Sequence, residues 1–411
     1  MLHRLPRDLG ENYSPLYWLA ALGAGGLTVS FFMWLMFWVP YEGMVPFFED
    51  IVAALGSGHA GLQTAIVLAW AGILAMAFIH FRLLFWNIRE HRRFLQTDAY
   101  RKNMRGNRTE VQLLAAPLTV AMTINVCFVL GMVFVPGLSA IVEWLFPAAM
   151  VAFLIVGGWA LRQLGDFWGR VLTESDCDCA ADNSLAQALP AFALSMVGVG
   201  LAAPAGMSSV PATAAFSLAL SSFFLIAAVI TGAVMLVLGV RAMMEQNANP
   251  VSAPSLWIGV PVLTIIGITL VRQTAGIEAH FGAEAGGIQT LGLLTYFLAA
   301  QVALLLLGWV VLRRFNYFGR FVVGPERSAG SYTLVCPGVA LAVMIHFFTN
   351  LGLAHHGVIE AYGVAYWALT AIALVVQAAT IWLVFQLNRK HFRVDAWAGQ
   401  RFSPSTASSS S

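Results

Sequence analysis

Charge is what this chain has least of. Only 10% of its 411 residues are Asp, Glu, Lys or Arg, against about 25% in an ordinary soluble domain, which excludes a water-solvated fold for most of its length. Cysteine is scarce too, at four residues, too few and too scattered for a disulfide framework or a four-ligand zinc site. Cys127 reads as a small apolar filler. Cys177 and Cys179 form a Cys-x-Cys in the acidic stretch Glu174 to Asp182, where a solvated loop is expected. No glycine-rich phosphate loop follows a strand, and no paired histidines stand at haem-ligand spacing, so neither a cofactor nor enzyme chemistry is expected. The net charge is +2. The one basic run, Arg89 to Arg108, reads as a topology signal in contact with anionic lipid rather than as a nucleic-acid surface.

What is abundant is apolar sequence: 59% of residues are hydrophobic and the mean hydropathy is +0.77. A helix crosses about 30 Å of hydrocarbon with about 20 apolar residues. Ten such runs are visible, at 16–39, 60–86, 111–135, 141–161, 185–204, 211–240, 255–272, 288–312, 331–353 and 361–387. Runs such as Phe216 to Val240 lack the alternation of barrel strands. The expected class is therefore an all-α integral membrane protein of ten transmembrane helices, arranged as five hairpins. Residues 1–15 form a cytoplasmic N-terminus, 16–390 the membrane domain and 391–411 a largely disordered, serine-rich tail. The first run is read as a retained span rather than a cleaved signal.

The cations orient the chain. With the N-terminus inside, 21 of the 22 Lys and Arg residues fall at or beyond cytoplasmic helix ends, leaving Arg272 on the far side. Glu42, Glu49, Asp50, Glu278, Glu284 and Glu360 lie on the opposite face. This predicts an inner-membrane-type protein with both termini in the cytoplasm.

Spans three, five, seven and nine repeat one feature: a proline a few residues in, Pro117, Pro190, Pro261 and Pro337. Small or hydroxylated residues follow, among them Thr119, Thr123, Ser195, Thr264, Gly267 and Gly338. Span one carries Gly23-Ala24-Gly25-Gly26 instead, and the even spans read as straight, uniformly apolar helices. Proline inside a helix frees a carbonyl that hydrocarbon cannot satisfy, so the odd spans are expected to kink and to surround a shared wet pore. Thr28, Ser30, Thr123, Asn125, Ser195, Thr264 and Thr269 are candidate neutral lining groups. His346 reads as the ionisable residue well inside an odd span; intramembrane histidines mark either a transport route or a satisfied packing position. No carboxylate lies inside the odd spans, which favours anions or neutral solutes over cations.

Two segments carry a family resemblance, Tyr17 to Gly26 in span one and Ser331-Tyr332-Thr333-Leu334-Val335-Cys336-Pro337 in span nine. They resemble the tellurite-resistance and dicarboxylate transporter family, which includes the bacterial TehA channel and the slow anion channels of plant guard cells. The resemblance implies five hairpins around a central pore lined by bent odd helices, passage of a small anion, and a homotrimer with one pore per subunit. The family places a gating phenylalanine just before the span-nine proline; here Cys336 stands there, which points to the TsoY branch, some members of which carry selenocysteine. Together with the prolines, small and hydroxylated residues and histidine read above, this makes the candidate pore and gate residues Cys336, Pro337, Gly338, Pro117, Pro190, Pro261, Gly23, Thr123, Ser195, Thr264 and His346. The alternative is a membrane redox protein handling sulfur or selenium species through Cys336.

Overall fold

A computed structural model describes residues 5–105, 107–173, 184–282 and 287–393. Cys177, Cys179, Glu284 and the tail from 394 lie outside the described residues. Among those described there is no strand, and ten helices are long and apolar enough to cross a membrane. They are α1 (Pro15–Trp38), α2 (Ala60–Phe94), α3 (Thr109–Phe134), α4 (Leu138–Thr173), α5 (Leu185–Met207), α6 (Pro211–Gln246), α7 (Ala253–Phe281), α8 (Gln289–Arg314), α9 (Ala329–Ala354) and α10 (Val364–His391). A short helix, Phe48–Leu55, lies between α1 and α2.

Burial divides them into two sets. In the odd helices 56% to 100% of the most apolar stretch is buried inside the protein; in the even helices the figure is 17% to 33%. Each odd helix packs on its hairpin partner and on the next odd helix, so that α1, α3, α5, α7 and α9 run round in order and α9 returns to α1. The inner ring is closed. Each even helix rests in the groove between its own odd partner and the following one, presenting Phe78, Phe85, Trp144, Phe216 and Phe223 outward. With lipid as apolar as the side chains themselves, such packing depends on small residues that let backbones approach. The glycines of α1 serve this purpose: a Cβ on Gly23 would meet Val335 of α9, and one on Gly25 would meet His80 of α2 and Met122 of α3.

The proline repeat has a different local meaning from the kink expected. Every odd helix opens with a short 3-10 segment and then turns α-helical: Pro15–Tyr17 before Trp18, Arg108–Leu114 before Ala115, Leu185–Ala188 before Leu189, Ala253–Trp257 before Gly259, and Ala329–Leu334 before Val335. Pro117, Pro190, Pro261 and Pro337 occupy the second or third α-helical position. Proline is favoured in the first turn of an α-helix, and here it marks the 3-10-to-α junction instead of interrupting the α-helical ladder further in. Serines cap three of these leads, Ser14, Ser184 and Ser328 accepting from Leu16, Ala186 and Gly330 N–H at 3.1–3.3 Å.

Two further expectations are corrected. The even helices are not uniformly apolar or free of proline: Pro147 lies inside α4, and α2 buries His80, Asn87, Glu90 and His91. Several helices also outrun their apolar segments, because the helix continues after hydrocarbon ends. α2 extends to Phe94, and α7 runs nine residues past Arg272 to Phe281.

Candidate transport cavity

The five odd helices enclose a cavity of about 180 Å³ on the axis of the ring. One level is set by Gly23, Phe192, Pro261 and Cys336, near the N-terminal ends of the inner α-helices. The other is set by Met36, Met132, Met207 and Phe347, near their C-terminal ends, and by Arg272, midway along the helix Gly259–Phe281, with Val45 of the α1–α2 connection beside them. The wall is almost wholly apolar. Phenylalanines reach it from α1, α3, α4, α5 and α9, and six methionines line it: Met33, Met36, Met122, Met132, Met196 and Met207.

The fourth helix contributes Phe146, Ala149 and Phe153, so the wall is not built from odd helices alone. Gly200 of α5 explains how an outer residue gets in, since a Cβ there would collide with the ring of Phe153. The ring occupies the space that the glycine leaves.

The sequence-derived candidates separate clearly. Gly23, Pro261, Thr264, Cys336 and Asn125 line the cavity. Pro117, Pro190, Pro337 and Gly338 do not; Gly338 lies against Thr380 of α10, where its missing side chain lets the α9–α10 hairpin close. Thr28, Ser195 and Thr269 donate to carbonyls of their own helices, Ala24, Phe192 and Ile265, at 2.8–3.1 Å, and Ser30 is fully buried away from the cavity. Thr123 donates to Thr119 O at 2.9 Å and meets His80 Nε2 at 3.0 Å, while His80 Nδ1 donates to Ala21 O at 2.8 Å. The α2 histidine thereby ties α1 to α3 behind the cavity wall. His346 faces away from the cavity too, its ring stacked on Phe37 at 6.3 Å and edge-on to Trp38 at 6.2 Å.

Thr264 is the best-anchored polar lining group. Its hydroxyl lies 3.1 Å from Ala340 O and 3.3 Å from Val260 O and accepts from Gln301 Nε2 at 2.6 Å, linking α7, α8 and α9. Asn125 donates to Ala121 O at 3.3 Å and approaches Met196 Sδ at 3.7 Å. Cys336 is a free, buried thiol packed in the core at the level of Gly23, Phe192 and Pro261.

Arg272, expected beyond the far end of its span, lies instead within the helix, which also overturns His346 as the ionisable group well inside an odd span. It lies midway along the α-helix Gly259–Phe281 and lines the cavity, Nη1 donating to Val199 O of α5 at 2.9 Å. Hydropathy ends a span at its first charge, which hides a residue of this kind. The signal that was there is spacing: Arg272 follows Pro261, Thr264, Ile265 and Ile268 at three- and four-residue steps along one helix face. Among the described residues no carboxylate forms an ion pair with it and no cluster of three or more His, Cys, Asp or Glu side chains is placed to hold a metal.

Ten apolar helices closed around an axial cavity define a multi-pass membrane protein of the transporter or channel class. No protein-family model matches the chain, and no curated protein matches it in sequence.

Proposed function

We propose that this protein is an anion channel or transporter, with the axial cavity of each subunit as its pathway. The observation that carries the reading is Arg272: among the described residues the only charged side chain lining the cavity is a cation, and no carboxylate joins it in the wall. In a low-dielectric surround a single unopposed charge sets the sign of the permeant ion over several ångströms. The resemblance of Tyr17–Gly26 and Ser331–Pro337 to the tellurite-resistance and dicarboxylate transporter family supports the same reading. It extends it to a homotrimer in a bacterial inner membrane, with both termini cytoplasmic by the distribution of Lys and Arg. Cys336, where that family keeps a phenylalanine, leaves occlusion to rings supplied from elsewhere on the wall, of which Phe192 stands at the same level.

The test is flux into proteoliposomes across chloride, nitrate, malate, sulfite and thiosulfate, for the wild type and Arg272→Gln. Wild-type flux of at least one anion, lowered tenfold or more by the substitution, is the expected result. Flux no greater than in empty vesicles for every anion would sink the reading.

A further inference from the structure

The chemistry of the cavity wall narrows the class of anion, an inference that rests on the anion reading above. We propose that the cavity takes a monovalent anion with an apolar body, an aryl or short branched alkyl carboxylate or sulfonate, its charged head on Arg272 and its body among the phenylalanine and methionine side chains.

The polar groups of the wall are few and mostly engaged. Thr264 is held by Ala340 O and Gln301, and Asn125 by Ala121 O and Met196. Arg272 has five N–H donors in a planar fork, one of which goes to Val199 O. The guanidinium edge fits one carboxylate or sulfonate group. A small inorganic ion would exchange a full hydration shell for that one contact. A dicarboxylate would carry its second charge into a wall of mostly Phe, Met, Val and Ile, where among the described residues no second cation meets it. An anion with an apolar body meets neither obstacle, because only its head needs a partner.

Size agrees. A dry apolar cavity of about 150 Å³ accommodates a benzene ring, and this one measures about 180 Å³. Six methionines give the wall an unbranched, adaptable surface that re-packs around differing shapes. Small aromatic and branched aliphatic bodies are therefore expected to compete for one site.

Benzenesulfonate is the probe, since it stays ionised at working pH and does not leak through lipid as a neutral acid. With the purified full chain, its flux is expected to exceed chloride and malate flux at least tenfold. It should also raise the melting temperature in detergent, with pivalate displacing it and malate failing to. Arg272→Gln should weaken its binding at least tenfold and Arg272→Lys less. The competition series on the wild type decides the matter if Arg272→Gln does not fold. Chloride or malate flux without benzenesulfonate binding overturns this proposal and leaves anion permeation standing. Benzenesulfonate binding without flux of any anion supports the ligand class and overturns the transport reading. Neither binding nor flux overturns both.

Discussion

Closure of the inner ring depends on the contact between its first and last members, and one substitution there tests it quantitatively. Gly23 and Gly26 of α1 face Val335 and Val339 of α9. A Cβ at Gly23 would lie 2.5 Å from Val335 Cγ1 and 3.1 Å from its Cβ; at Gly26 the nearest atom is Val339 Cγ1, at 3.0 Å. Valine in a helix has essentially one χ1 rotamer, so Val335 does not swing aside and the helices must separate. Overpacking of this kind costs about 1–3 kcal/mol, and alanine returns about 1 kcal/mol through its better helix propensity. Gly23→Ala is therefore expected to destabilise by about 1–2 kcal/mol, given the severity of its clash. Gly26→Ala, which needs Val339 to give by a few tenths of an ångström, should stay within about 0.5 kcal/mol of wild type. Combining Gly23→Ala with Val335→Ala removes the obstructing methyls, and a double-mutant cycle should show coupling of about 1 kcal/mol or more. Reversible unfolding in mixed micelles measures the wild type, the three single variants and the double variant. Equal effects at the two glycines, or no coupling between Gly23 and Val335, would refute the reasoning.

Alanine at Pro117, Pro190, Pro261 or Pro337 should each change stability by less than about 1 kcal/mol, because proline is well tolerated in the first α-helical turn; a loss near 3 kcal/mol in the same unfolding assay would indicate an interior kink instead. Thr264→Val leaves the Gln301 amide with a weaker partner and should cost about 1 kcal/mol, with Gln301→Leu recovering part of it. Cys336→Ser should keep most of the wild-type flux, whereas Cys336→Phe, by narrowing the cavity at its Phe192 level, should reduce it severely; a complete loss in the serine variant would point to thiol chemistry. Glu49 accepts the Gly137 N–H at 2.6 Å, which holds its carboxyl below the usual carboxylate range. A depressed folded-state pKa means that this link contributes above the ordinary carboxyl pKa of about 4.3 and is lost as pH falls through the lowered value. The melting temperatures of wild type and Glu49→Gln should therefore differ at pH 6 and converge on acidification, and a constant gap down to pH 3 would count against the link.

The number of spans and the inner-outer alternation were readable from sequence because each follows from a local property. Apolar runs report the hydrocarbon slab, and the recurring proline marks the odd helices whatever its structural role. That role was misjudged because sequence shows proline as a helix breaker but not the 3-10 lead that puts it in a first turn. The cavity wall was less accessible. Phe153 reaches it only because Gly200, forty-seven residues on, has no side chain, and a pairing of that kind leaves no mark in either segment alone. Arg272 escaped for the opposite reason, since a charge is read as the end of a span when the helix in fact continues to Phe281. The hydroxyl residues of the odd helices were over-counted as lining groups. A Ser or Thr in a membrane helix readily satisfies itself on its own backbone, as Thr28, Ser195 and Thr269 do.

The inner ring closes on itself, each of its five helices held by two inner neighbours and braced from outside by even helices. Such a barrel of helices has no seam along which two halves could rock past one another, which is how many carriers expose a site first to one side and then to the other. On the proposed reading, opening and closing are the work of individual side chains turning within a fixed frame rather than of domain motions, which take microseconds or longer. On the same reading, passage along the axis is paced by the phenylalanine and methionine side chains that line it.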